Sequence, residues 1–371
     1  MIEEIHIQNF KSLYDLKIKT GRINLFIGEN GSGKSNLLEA LVFVSAAEAN
    51  KLDNEFLVSR GIRVTEPTLM RSAFDLKKKK IKISVRYIGC SEKYIFENDD
   101  KSYSNWTFTS TSLLRDEHLS AVHHGDEGRS LTKEDNILLK KIDTSKLLTS
   151  HFYEKFIIYS PENTSLRIFS KEGQIQPLGI NGEGLLKLLK VINNYEDKSY
   201  INTIIESLQL FNWFENITMP SDISSAENKV VIKDKYLYKE FDQRSANEGF
   251  LFILFYITLI VAKETPKAFA IDNIDASLNP KLCTKLMLVI TELAKKYDKQ
   301  IFLTTHNPAI LDGIDLNDEE QKLFVVSRNK LGHTRMKNIT LENKPRSSDN
   351  EPLRLSEAFL RGYLGGLPKG F

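Results

Sequence analysis

Cysteine is nearly absent from this chain. Cys90 and Cys283 lie far apart and form no CxxC pair. A disulfide framework and a thiolate zinc site are therefore excluded, and both residues read as reduced thiols of a cytoplasmic protein. Histidine is sparse, and only His123-His124 approaches a metal-ligand spacing. Adjacent histidines in the polar stretch AVHHGDEGRS read as solvated loop residues. Neither charge sign dominates: 51 Lys and Arg stand against 49 Asp and Glu, a net charge of +2. A nucleic-acid surface, if present, must then be local. The longest apolar stretch, Gly249 to Ala262, is too short and too aromatic to span a bilayer and reads as a buried helix. The N-terminus MIEEIHIQNF has no apolar signal-peptide region. No internal repeat is found. No heptad run is sustained, which argues against a long coiled-coil arm.

The hydrophobic fraction, 41% of 371 residues, supplies a core for one large domain or two ordinary ones. The opening IEEIHIQNF alternates like a strand, and LYDLKIKT looks like its hairpin partner. RINLFIG is a buried strand that runs into GENGSGKS, and NLLEALVFVSAAEA follows with helical periodicity. In KKKKIKISVRY, Ile81, Ile83 and Val85 alternate with basic residues, which predicts a strand with one buried and one basic face. Between about 91 and 235 the α/β rhythm fades into a compact insertion containing GEGLLKLLKVINNY. From about 236 the rhythm returns: helix EGFLFILFYITLIVA, strand AFAID, helix PKLCTKLMLVITELAKKY, strand QIFLTTH, short helix PAILDGI and strand KLFVVSR. The tail holds a helix-like SEAFLRGYL stopped by Gly365-Gly366. The expected segments are 1–90 and 236–345 as two parts of one α/β domain, 91–235 as the insertion and 346–371 as the tail.

Residues Gly28, Glu29, Asn30, Gly31, Ser32, Gly33, Lys34 and Ser35 fit GxxxxGKS without a mismatch. Glycines let successive N–H groups turn toward phosphate oxygens, and the helix starting at about Gly33 adds its positive end. Lys34 then reaches the β- and γ-phosphates, and the Ser35 hydroxyl joins a Mg²⁺ shell. Asn36 follows in the same helical turn. The strand–loop–helix context supports ATP or GTP binding. Asp272 ends the apolar strand Ala268 to Ile271, where a carboxylate can hold Mg²⁺ through water as a Walker B aspartate does. His306 ends the next strand, where an imidazole can meet a γ-phosphate or the attacking water.

The opening I-x-x-F-K-S-L and the run through G-S-G-K-S-N-L-L-E-A-L resemble the N-terminus of RecF/SMC-type ATPases. More narrowly, the chain is similar to the AAA-like ABC proteins that include the OLD proteins and many phage-defence ATPases. Asp272 to Pro280 resembles D-E-x-D/E-x-x-L-x-P, Thr304 to Pro308 resembles T-T-H-S/N-P, and Ser245 to Leu251 resembles the signature segment before Walker B. The tail LRGYLGGLP also resembles this group. The similarity covers about 1–75 and 240–371.

The resemblance implies a two-lobed α/β ABC-type P-loop NTPase head, with a compact α+β insertion in place of a coiled coil. It implies a homodimer, or a higher even oligomer, with two ATP·Mg²⁺ sandwiched between chains. Ser245, Asn247 and Gly249 would touch the ATP held by the partner's P-loop. Ala276 to Asn279 would form the D-loop, His306 the switch histidine, and Lys11 and Ser12 would approach from the first hairpin. No Q-loop glutamine is assigned. Two positions depart from the pattern. Asn273 stands where the catalytic Glu is usual, and an amide cannot take a proton from water. Asn247 aligns with the signature Ser, with Ser245 close by. The expected catalytic set is thus Asp272, Asn273 and His306, with slow ATP hydrolysis. No room is left for the Toprim nuclease of OLD proteins. This points to an ATP-operated sensor or clamp in anti-phage defence, with a separately encoded nuclease or toxin. A RecF-like repair ATPase and a nucleotide-stabilised scaffold are the alternatives. DNA is a candidate partner, and no membrane contact is expected.

Overall fold

A computed structural model describes residues 1–87, 90–101, 104–114, 155–169, 175, 177–219, 229–346 and 353–367. His123-His124 lies outside the described residues. The first part runs β1 (Ile2–Phe10), β2 (Leu13–Lys19), β3 (Ile23–Gly28), α1 (Lys34–Glu48), α2 (Asn54–Ser59), α3 (Pro67–Met70), β4 (Ile81–Tyr87), β5 (Cys90–Glu97) and β6 (Thr107–Leu114). The middle holds β7 (Ile158–Tyr159), α4 (Leu185–Asn193), α5 (Ser199–Leu208), β8 (Phe214–Thr218), β9 (Val231–Asp234) and β10 (Phe241–Asp242). The last part holds α6 (Glu248–Val261), β11 (Ala268–Ile271), α7 (Pro280–Lys296), β12 (Gln300–Thr305), β13 (Gln321–Arg328), β14 (Thr334–Ile339) and α8 (Leu355–Leu360). A 3₁₀ helix, Pro308–Gly313, follows β12.

The central sheet has the order β14-β13-β3-β12-β11-β7. Strands β13, β3, β12, β11 and β7 are parallel neighbours, and β14 is antiparallel at one edge. Its two faces belong to two cores. Ile23, Leu25 and Ile27 of β3 point into one, with the helices α4 to α8. Phe26 points into the other, with α1 and the antiparallel sheet β2-β1-β4-β5-β6. Two-faced burial explains the continuous apolar strands, because a parallel sheet covered on both sides has no solvent face. Helix α6 is buried from Phe250 to Val261. A helix that is apolar all round can only sit inside a core.

Strand β4 alternates as its sequence predicts, with Ile81, Ile83, Val85 and Tyr87 buried. The antiparallel sheet continues past it into β5 and β6, to Leu114. The expected boundary at residue 90 therefore falls inside a sheet, because β5 needs β4 as its hydrogen-bonding edge. Likewise β7, α4 and α5 join the core around α6 instead of forming a separate unit.

A buried amide helps tie the two sheets together. The Gln300 side chain accepts from Ile2 N at 2.8 Å and donates to Ile2 O at 2.8 Å and Gly21 O at 2.7 Å. Replacing Gln300 by Leu leaves the Ile2 N–H without this partner, while Ile2 O keeps Thr20 Oγ1 and Gly21 O keeps Asn24 Nδ2, both at 2.8 Å. An orphaned buried N–H costs about 1–3 kcal/mol, and the two lost bonds to carbonyls add to it. We expect Gln300→Leu to lower stability by about 2–4 kcal/mol. The check is a fall in the urea midpoint at unchanged slope.

Candidate functional site

Strand β3 lies between β12 and β13, so its carboxyl end opens at the middle of the parallel edge. Ligand sites of open α/β sheets lie at such ends. The chain turns there through Gly28 to Gly33 and enters α1. Gly31 has φ +74, and a Cβ on it would enter open space. Gly33 has φ +106, and a Cβ there would stand 2.2 Å from Thr334 Oγ1 and 2.6 Å from Ser12 Oγ. Helix α1 begins without a side-chain cap. Its first-turn N–H groups have no intrahelical partner and make an anion-binding end. The buried Ser32 hydroxyl has no hydrogen-bond partner. The hollow and its unused donors fit a polyphosphate.

The loop is fastened from outside. Arg328 Nε donates to Gly31 O at 2.8 Å, and Thr334 Oγ1 donates to Ser32 O at 2.7 Å. Ser12 Oγ pairs with Thr334 Oγ1 at 2.7 Å and accepts from Asn36 Nδ2 at 2.8 Å. Asn30 is exposed at the loop's tip. Lys34 Nζ folds back, donating to Gly28 O at 2.8 Å and Glu29 O at 3.0 Å. Burial pushes the Lys34 ammonium down to about 8, against the pull of Asp272, Asp275 and Glu29. An anion beside it would raise it again.

Asp272 and Ser35 meet as the motifs require. Ser35 Oγ donates to Asp272 Oδ2 at 3.1 Å and Oδ1 at 3.3 Å. Thr304 of β12 donates its hydroxyl to the same carboxylate. The hydroxyl and the carboxylate are hard oxygen donors, a set that fits Mg²⁺. Asn273 follows at φ +56, and its N–H donates to Thr304 Oγ1 at 2.9 Å. Left-handed backbone favours Asn over Glu, which gives the departure at this position a conformational reason.

Asp275 joins the Walker B turn to the end of β12. Its Oδ1 accepts from Thr305 Oγ1 at 2.7 Å and from His306 N at 3.3 Å. The imidazole of His306 is lowered from its ordinary pKa by burial and by Lys34. It stands at the mouth of the loop, beside Gly28.

The signature residues do not reach the P-loop of their own chain through any of these bonds. Asn247 caps α6, accepting from Phe250 N at 2.8 Å. Ser245 and Asn247 are exposed. Gly249 packs against the D-loop: a Cβ there would meet Ser277 O at 3.0 Å. Glu248 accepts from the Ser277 hydroxyl. The D-loop and the signature thus form one surface.

Sequence reasoning missed Arg167. Its guanidinium donates to Gln243 O at 2.9 Å, Arg244 O at 2.7 Å and Ala246 O at 2.9 Å. It shapes the loop that carries Ser245. No motif announces it: its Nε donates to Asn163 Oδ1 at 3.0 Å, four residues away, and its other bonds go to backbone carbonyls that the sequence does not mark. Beside the P-loop lies an open cavity of about 390 Å³ lined by Lys11, Ser12, Asn36, Arg63, Arg71 and Phe74, among others. Lys11 is held at its edge by Glu39 and by Arg63 O, the latter at 2.8 Å. Strand β7 occupies the position beside Walker B. It is followed by Ser160, Pro161, Glu162 and Asn163, with no glutamine among them.

Fold and site together define an ABC-type P-loop ATPase of the RecF/SMC kind. The chain belongs to the family described as "AAA domain, putative AbiEii toxin, Type IV TA system", which matches residues 23–312. It is 29% identical over 215 residues to the DNA replication and repair protein RecF of Caldanaerobacter subterraneus, covering 53% of this chain and 55% of that one. An uncharacterized protein of Methanocaldococcus jannaschii is 34% identical over 115 residues, 28% of this chain and 50% of that one. The chain thus spans about half the length of these two relatives. The chromosome partition protein Smc of Methanococcus voltae is 32% identical over 114 residues, 28% of this chain and 9% of that protein. The fold is that of an Smc head solved bound to the C-winged helix domain of ScpA. The TM-score is 0.59 at 15% identity, covering 92% of this chain and 98% of that one. Among the described residues no helix is long and apolar enough to cross a membrane.

Replacing Arg167 by Leu removes three bonds to loop carbonyls. We expect faster amide hydrogen exchange confined to residues 243–250. The melting temperature should fall by only about 1–3 °C, the range for the loss of about 1–2 kcal/mol in a chain of this size. Unchanged exchange there would show that the loop holds its own shape.

Proposed function

We propose that this chain is the ATP-binding and ATP-hydrolysing subunit of a two-copy clamp. The observation that carries it is the division of the site. The P-loop and Asp272 share one edge, while the segment with Ser245, Asn247 and Gly249 packs on Ser277 of the D-loop and, among the described residues, makes no hydrogen bond to the P-loop of its own chain. A second copy related by a two-fold axis would bring its signature to this chain's P-loop, and the reverse.

In this reading the N–H groups of Gly31 to Ser35 and the Lys34 ammonium bind the β- and γ-phosphates. Gly28 and Asn30 shape the loop's entry and tip, and Asn36 holds the Ser12 side. Ser35 and Asp272 would hold Mg²⁺, whose charge offsets that of the phosphates. The basic cavity at Lys11, Arg63 and Arg71 takes the nucleoside side. His306 donates a ring N–H at the γ-phosphate end. Asn273 orients water without taking its proton. Such proton transfer is typically worth about 10²–10⁴-fold in rate. Hydrolysis is then slow, and ATP acts as a long-lived clamp.

The biological setting we propose is bacterial anti-phage defence in the cytoplasm, with a separately encoded effector. The OLD-like motifs and the toxin–antitoxin wording of the family description support it. A RecF-like repair role is the second reading, favoured by the 29% identity over half of the chain. A scaffold with negligible turnover is the third, favoured by Asn273.

Lys34→Ala should abolish ATP·Mg²⁺ binding in calorimetry and, with it, the ATP-dependent rise in mass from monomer to dimer. Wild-type affinity in a folded mutant would refute the phosphate-binding role. Dimerisation by the mutant at equal ATP would refute the sandwiched nucleotide.

Single-turnover hydrolysis by Asn273→Glu should exceed that of the wild type by about 10-fold or more. Glu at this left-handed position costs about 1–2 kcal/mol, so melting is measured in parallel. Brisk wild-type turnover that the substitution leaves unchanged would place the water chemistry elsewhere.

A further inference from the structure

The segment 353–367 runs from the 3₁₀ helix after His306 to the first peptide of the P-loop. At one end, Asp312 of that helix accepts from Ser356 N at 3.0 Å and from Ser356 Oγ at 2.6 Å. At the other end, Gly366 O accepts from Glu29 N at 3.1 Å. Between them Leu355, Ala358, Phe359 and Leu364 are buried in the core of α6 and α7. The return at the Gly366 end needs left-handed backbone, with Gly365 at φ +81 and Gly366 at φ +80. Gly366 also presses on the end of β13. A Cβ there would stand 2.5 Å from Val325 Cγ1 and 3.5 Å from Val326 O. The same Val326 carbonyl would lie 2.1 Å from a Cβ on Gly28. The first peptide of the loop is thus enclosed by β13 on one side and by this strap on the other.

We propose that residues 353–367 are a positioning strap for the P-loop, coupling the segment after His306 to the phosphate-binding turn. Glu29 N–H is committed to the strap, so it is withheld from the phosphates and fixes where the loop's curve begins. The buried middle transmits displacement from Asp312 to Gly366 as one packed unit, since close-packed interiors carry strain. Neither Asp312 nor Gly366 touches the phosphate hollow, and both act through the backbone of Glu29. The inference rests on the P-loop binding nucleotide.

The test measures ATP·Mg²⁺ affinity and melting for the wild type, Lys34→Ala, Gly366→Ala, Asp312→Ala and the double strap variant. Gly366→Ala puts a methyl against Val325 and displaces the carbonyl from Glu29. Asp312→Ala frees the far anchor at the surface and keeps the proposal testable if Gly366→Ala fails to fold. The expectation is an affinity loss of about 5–20-fold for each single strap variant, about the worth of one hydrogen bond or slightly more. The double variant should lose no more than the weaker-binding single variant, because both act on one strap. Melting of Asp312→Ala should stay within about 3 °C of the wild type. Wild-type affinity in folded Asp312→Ala, or fully additive losses, would overturn the strap. If Lys34→Ala loses binding while the strap variants retain it, the strap fails and the nucleotide reading stands. If the wild type binds no nucleotide, both fall.

Discussion

Asp272 ends a strand that does not pair with β3. Strand β12 stands between them, and its Thr304 hydroxyl bonds the Asp272 carboxylate that Ser35 reaches from α1. The rest of the site depends on this three-way contact across the parallel edge. It requires the register Thr304↔Phe26 between β12 and β3 and Ile271↔Leu303 between β11 and β12. A one-residue slip in either pair would move residues fitted to one core into the other. The hydrophobic pattern that fills the two cores therefore also sets the distance between the Mg²⁺-type hydroxyl and carboxylate. Core and site depend on the same register.

The support of the two halves of the site is divided. The P-loop is held by Ser12, Arg328, Thr334 and Gly366, contributed by the first hairpin, the β13–β14 hairpin and the strap. The signature loop is held by Arg167 and by its own cap at Asn247. Asp275 bridges the Walker B turn and the His306 backbone. In the proposed dimer, nucleotide would join a P-loop and a signature loop that are held by different residues within each chain. Such an arrangement lets binding draw two copies together without first remodelling either core.

The contiguous motifs were legible because their chemistry is local. GxxxxGKS needs only a strand, a glycine turn and a helix start, and all three are adjacent in sequence. The strand of Asp272 and that of His306 were legible for the same reason. Strand β4 was legible from the alternation at Ile81, Ile83 and Val85. The extent of the first sheet was not. Strands β5 and β6 carry Ser, Thr and Lys on much of their length, and their place is set by pairing with β4, which local pattern does not encode. Arg167 and Gln300 were illegible too. Each binds backbone groups remote in sequence, up to 298 residues away for Gln300, and backbone atoms are the same at every position.

Asn273 illustrates a constraint that sequence comparison reads as loss and backbone geometry reads as accommodation. The turn after β11 must bring Asp275 back under Thr305 within three residues of Asp272. It does so with Asn273 at φ +56, its N–H on Thr304 Oγ1 and its carbonyl receiving Ala276 N at 3.0 Å. Asn tolerates that conformation better than Glu, by an amount comparable with a hydrogen bond. The tight turn also delivers Ser277, itself at φ +59, to Glu248 at the start of α6. The residue best suited to the bend is thus one that cannot act as a base. In the proposed clamp the same turn favours a well-placed D-loop over rapid proton transfer, and slow turnover follows from the geometry that aligns the two copies.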